Sequence, residues 1–216
     1  MGLRPSRTHL QDTPVPHPRQ CAPRIIQRAP PVARPLFEVR AAILPAARFT
    51  QQDHTRMSNE HLTTRDTPIA AGEAAPDFTL PDQDKNDVNL HALLDQTGAD
   101  VVLSFYPLDF SSVCSAEMGC FTRDIDKFRA KKATVLGISC DSFYAHKVWR
   151  EQLGIGIPLL ADMHRAVCRA YGFYFPPLNV AGRGTVVVGP DKTVKWVSAR
   201  ELGVAIDNEA LLGAVG

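Results

Sequence analysis

Five cysteines are spread along the 216 residues: Cys21, Cys114, Cys120, Cys140 and Cys168. No pair has the C-x-x-C spacing of a zinc ribbon or a dithiol oxidoreductase. The odd count and wide spacing do not suggest a secreted disulfide framework, and a reducing intracellular compartment fits better. Cys114 differs from the others by position. It follows the nearly continuous apolar run from Val101 to Tyr106 and falls in the first turn of the helix expected next. Open α/β sheets place their chemistry at the carboxyl ends of strands. A helix start adds unpaired N–H groups and a partial positive charge. A thiolate is favoured there over the thiol, and the thiolate is the nucleophile.

The neighbours of Cys114 suit that chemistry. Ser111 stands three residues before it, with a hydroxyl that can accept from the thiol or donate to a bound oxygen. Ser111 is also a natural helix N-cap. Pro107 fixes the chain as it leaves the strand and has no N–H to satisfy. Glu117 follows at i+3 on the same helix face, although an acid near a helix start is common in any case. Arg183 begins a later strand, and its permanent charge favours a thiolate and can hold a polar oxygen.

The elements that must position these residues are legible from periodicity. Residues 77–80 and 88–90 read as an N-terminal β-hairpin around a turn-rich stretch, and 91–94 as a short helical turn. Residues 101–106 and 134–139 read as strands covered on both faces. Residues 112–131 read as an amphipathic helix, with Met118, Phe121, Ile125 and Phe128 at helical spacing. Further helices are expected over 142–153 and 163–171, ended by Gly154 and Gly172, and a closing helix over 207–215. Residues 158–161 form a short strand. Residues 184–188 and 193–197 flank Gly189-Pro190-Asp191-Lys192 as an antiparallel hairpin. The order β-β-β-α-β-α-β-α-β-β-α implies an α/β fold: a central mixed sheet with helices on both faces.

The pattern P-x-x-x-S-x-x-C followed by x-x-E, here Pro107, Ser111, Cys114 and Glu117, resembles the active-site motif of peroxiredoxins. Arg183-Gly184-Thr185-Val186-Val187-Val188 is similar to the family's second signature. The resemblance covers residues 67–215 and is closest to the alkyl hydroperoxide reductase E-type branch, often one-cysteine enzymes. It implies a thioredoxin-like fold and a thiol-dependent peroxidase that reduces hydrogen peroxide and organic hydroperoxides, using no cofactor and no metal. By the same resemblance Cys114 is the peroxidatic thiolate. Ser111, Arg183 and the Cys114 N–H hold the peroxide oxygens, Pro107 shields the sulfenic acid, and Glu117 orients Arg183. Ser111 stands where the family more often has Thr. The resemblance also implies a homodimer joined near the active-site loops, and residues 173–180 are expected at that contact or at the pocket rim.

Reduction of the sulfenic acid has several routes. The first is an external thiol: thioredoxin, glutaredoxin or mycoredoxin, or a low-molecular-weight thiol. Cys120, Cys140 and Cys168 are the internal candidates, and each also reads as an ordinary small buried hydrophobe. Cys120 is six residues past Cys114, which on an intact helix is ~9 Å of rise and a Cα separation beyond the ~7 Å disulfide limit. His164 and Cys168, four apart, could share a metal, but no other ligand is evident. His146, Tyr106, Phe110 and Trp149 read as core or pocket wall. Two rival functions are a redox sensor and a non-catalytic thioredoxin-fold binding protein.

The net charge of +1 argues against a general nucleic-acid surface. No run of apolar residues is long enough to span a membrane. Residues 1–56 hold nine Arg, no Lys, three acids and nine of the seventeen prolines. Such a segment buries too little to offset its ordering entropy and reads as disordered. It reads as a mistaken start ahead of Met57, a transit segment, a basic arm for a polyanion or a functionless tail. Residues 57–66 form a lead-in and 67–216 the domain. The expected location is the cytoplasm, or an organelle if residues 1–56 are a transit peptide.

Overall fold

The computed structural model describes residues 59–216. The basic segment over 1–56, with Cys21, and the start at Met57 lie outside the described residues. Near the beginning of the described chain, β1 (Thr79–Pro81) and β2 (Asp87–Asn89) pair antiparallel as the expected hairpin. Asp82 builds its turn, accepting from the N–H groups of Asp84 and Asn86 at 2.8 Å each. The helical turn that follows is longer than its apolar residues suggested: α1 (Leu90–Thr97) runs from an Asn89 cap to Gly98 in the left-handed region.

The apolar run becomes β3 (Asp100–Phe105), buried at every position. It is followed by α2 (Ser112–Ala130), β4 (Ala133–Ser139), α3 (Phe143–Leu153) and β5 (Leu159–Ala161). Next come α4 (Ala166–Ala170), a small hairpin of β6 (Tyr174–Phe175) and β7 (Val180–Ala181), then β8 (Arg183–Val188), β9 (Val194–Arg200) and α5 (Asn208–Ala214). The main sheet has the order β5-β4-β3-β8-β9. β3 pairs parallel with β4, and β4 parallel with β5. β8 runs antiparallel to both β3 and β9. This is the expected mixed sheet.

Alternation along the strands divides the core in two, because successive side chains point to opposite faces. Val101, Leu103 and Phe105 pack with α1 and α4 through Leu90, Leu94, Val167 and Cys168. Val102 and Tyr106 pack on the other face with Cys114, Met118 and Phe121 of α2, Trp149 of α3 and Leu211 of α5. Helices thus cover both faces.

Three further elements differ from expectation. α4 begins at Ala166 rather than 163, because Arg165 is left-handed (φ 60°) and its N–H closes a turn onto Asp162 O. The β6–β7 hairpin encloses a 3-10 turn over Pro176–Leu178, in a segment with no alternating pattern to reveal it. β9 extends to Arg200, three residues past the apolar stretch, because pairing with β8 continues as far as Arg183.

Candidate active site

Cys114 sits at the third residue of α2, fully buried at the carboxyl end of β3. Ser111 is the N-cap of that helix, its Oγ accepting from the Cys114 N–H at 3.3 Å. The cap reading of Ser111 therefore holds, and the Cys114 N–H expected to meet peroxide already has this partner. A serine oxygen that accepts one bond still carries a proton to donate, so capping does not exhaust it. Pro107 is buried between β3 and the loop.

Arg183 reaches the sulfur from the neighbouring strand. Its Nη2 donates to Cys114 Sγ at 3.2 Å, its Nη1 to Glu117 Oε2, and its Nε to the Leu202 carbonyl at 2.8 Å. The guanidinium is 2% exposed and Glu117 0%, so this pair is desolvated and its geometry is fixed from three sides. Sequence reasoning missed the second cation. Arg200 Nη2 donates to Glu117 Oε1 at 2.9 Å and to Thr185 Oγ1 at 3.1 Å, while the Ile206 N–H donates to the same carboxylate oxygen at 3.0 Å. Arg200 lies directly opposite Arg183 in the β8–β9 register. Counting outward from the Gly189–Lys192 turn was the signal that could have found it, but a bulge near Val188 shifts that count. Burial lowers the hold of Arg200 on its proton, and the charge of Glu117 opposes that effect.

The charge balance follows. Two guanidinium groups and one carboxylate leave the buried cluster at +1, and a thiolate at Cys114 would neutralise it. Buried charge left unbalanced is costly, and the Cys114 sulfur is the acceptor that faces Arg183.

A second network holds the loop that delivers Cys114, and it too was invisible in the sequence. His146 Nδ1 lies 2.8 Å from Asp109 Oδ2, both side chains almost wholly buried. His146 Nε2 is 3.2 Å from the Leu160 carbonyl, which can only accept, so the ring donates there and faces Asp109 with Nδ1. Tyr106 donates to Asp109 Oδ1 at 2.9 Å. Burial, and then the charge of Asp109, push the Tyr106 phenol well above its ordinary range and keep it a donor. The Asp109 N–H donates to Asp141 Oδ2 at 2.9 Å, tying the loop to the end of β4. His146 is structural, as expected, but its task is specific: it anchors the loop between Pro107 and Ser111.

The family model described as the AhpC/TSA family matches residues 71–197. The chain belongs to that family. Among similar AhpC/TSA proteins, alkyl hydroperoxide reductase E of Mycobacterium tuberculosis is 33% identical over 141 residues, 64% of this chain and 91% of that protein. Peroxiredoxin-2 of Mus musculus is 34% identical over 140 residues, 62% of this chain and 71% of that one. The reduced 2-Cys peroxiredoxin of Plasmodium vivax superposes with a TM-score of 0.61 at 28% identity, covering 67% of this chain and 79% of that one. The thioredoxin-like fold expected from the motif is therefore the fold of this AhpC/TSA member. The matched span includes Pro107, and also Ser111, Cys114, Glu117 and Arg183, which the structure gathers.

The other cysteines are placed differently. Cys120 lies six residues along the same unbroken helix, α2, so the helix would have to unwind before its sulfur could reach Cys114. Cys140 and Cys168 pack with the opposite core, across the sheet. None of the three internal candidates is brought to Cys114, and among the described residues no cysteine is in a disulfide. His164 is exposed, away from the shared site with Cys168 that its spacing allowed. No helix among the described residues is long and apolar enough to cross a membrane.

Proposed function

We propose that the protein is a thiol-dependent peroxidase that reduces hydrogen peroxide and organic hydroperoxides through a sulfenic acid at Cys114. One observation carries the reading: a buried sulfur faces a guanidinium at 3.2 Å within a cluster of net charge +1. The thiolate attacks the terminal oxygen of the hydroperoxide. The S–O bond forms as the O–O bond breaks; sulfur loses two electrons, and the leaving alkoxide or hydroxide takes a proton to become alcohol or water. Arg183 and the Ser111 hydroxyl hold the two oxygens as charge moves from one to the other. Glu117 and Arg200 position Arg183, and Pro107 walls the sulfur.

The sulfenic acid is returned to thiol by two external thiol equivalents, which become a disulfide and release water. The continuity of α2 and the location of Cys140 on the other face support this route over an internal resolving cysteine. The same reading includes a homodimer, with exposed Leu108 and Phe110 of the Cys114 loop at its contact. It also includes a reducing intracellular compartment, cytoplasmic unless residues 1–56 are a transit segment.

Stopped-flow mixing of the reduced protein with hydrogen peroxide tests the activity. Reaction orders of magnitude faster than that of free cysteine is expected, with gain of one oxygen by intact mass. Cys114→Ser abolishes both. A wild-type rate near that of free cysteine sinks the proposal.

A further inference from the structure

The core opposite Cys114 contains a second sulfur pair that peroxide chemistry does not use. Cys140 follows β4 and Cys168 lies in α4, with Sγ atoms 3.9 Å apart. Asp162, just past β5, places a carboxylate oxygen beside them, so that the three ligand atoms all lie within 4.8 Å of one another. Asp162 is 1% exposed. Its Oδ2 accepts from the Cys168 N–H at 2.8 Å, whereas its Oδ1 is buried without a hydrogen-bond partner among the described residues. Leaving such an atom unpaired is costly.

We propose that Cys140, Cys168 and Asp162 form a binding site for a thiophilic divalent cation of the zinc or cadmium class. Tetrahedral zinc with ~2.3 Å bonds to sulfur places two thiolates ~3.8 Å apart, close to the 3.9 Å observed. The matching sulfur–oxygen edge is ~3.5 Å, so the carboxylate oxygen moves inward by ~1.3 Å at most. A disulfide instead requires the sulfurs to close to ~2.05 Å, and it would leave Asp162 Oδ1 with no donor. A cation engages both sulfurs and the Asp162 carboxylate at once. Cys140 is only half-buried, which leaves this end of the cluster open to solvent.

The step balances without redox change. Two thiol protons pass to solvent, two metal–sulfur bonds and one metal–oxygen bond form, and the three anionic ligands leave the site at −1. The bound ion would tie the ends of β4 and β5 to α4, on the face away from Cys114.

The test uses the reduced full chain, stripped with chelator and titrated with Cd²⁺ while the thiolate-to-cadmium ultraviolet band is followed. One ion per chain is expected, with a rise in thermal midpoint. Cys140→Ser, at a half-buried position and with unchanged far-ultraviolet dichroism, weakens binding at least tenfold; Asp162→Asn weakens it by a smaller factor. Cys114→Ser leaves the band intact. Undiminished binding in Cys140→Ser, or loss of the band in Cys114→Ser, overturns the proposal.

Discussion

At Arg183 the shape of the cation matters as much as its charge. All three nitrogens of the guanidinium are engaged, with Cys114, Glu117 and the Leu202 carbonyl. Lysine keeps the charge but presents a single flexible point. Arg183→Lys is therefore expected to slow peroxide reaction by roughly 10²–10³, the usual effect of losing one preorganised donor. A stopped-flow rate within threefold of wild type would show that charge alone suffices. Glu117 stands one step back, pairing with both Arg183 and Arg200. Glu117→Gln should destabilise the fold by about 3–5 kcal/mol, as breaking a buried ion pair does. Urea unfolding reads that loss; a loss under 1 kcal/mol would mean that water screens the cluster.

At the scale of elements, the site is where the start of α2, the loop before it and the first pair of the β8–β9 ladder meet. α2 also carries Asp124, which holds α5 in place: its carboxylate accepts from Asn208 and pairs with Arg123 and Lys127. Burial pushes the Asp124 carboxyl up, but these three partners outweigh it and hold the group well below the usual carboxylate range. A depressed folded-state value stabilises fully above the unfolded-state value of about 3.9 and loses that effect as pH falls toward the folded-state value. The wild type should therefore lose stability below about pH 4 more steeply than Asp124→Asn, and at neutral pH the variant should be weaker by about 1–2 kcal/mol. Denaturant midpoints across pH measure both; parallel curves would rule out this role for Asp124. The same elements show why sequence reading reached only part of the site. Spacing of apolar residues marked α2 and β8, and with them Cys114 and Arg183. Nothing in that periodicity marked Arg200, because the ladder carries β9 beyond its apolar stretch.

For the whole molecule, the Cys114 loop is where a second copy is expected. Phe110 is 54% exposed at a left-handed φ of 61°, supported beneath by Trp149 at 6.1 Å between ring centroids. Leu108 beside it is 42% exposed. An aromatic held in that conformation and left in water is the kind of anchor that dimer interfaces bury. Phe110→Asp is expected to shift sedimentation toward monomer, while a wild-type chain that sediments as monomer at micromolar concentration would refute the dimer.

Taken alone, the sequence determined the alternation of strands and helices, the buried central strands and the place of Cys114 at the start of a helix that follows one of them. Each of these is written in local periodicity or in a motif of fixed spacing. Only the tertiary structure decided that Asp109 meets His146 across 37 positions, that Glu117 serves two arginines, and that Cys140 and Cys168 share the face away from Cys114. Contacts of that kind depend on strand register and sheet face. Shifting a strand by one residue turns every side chain to the other side, and no local pattern records which face a distant partner will occupy.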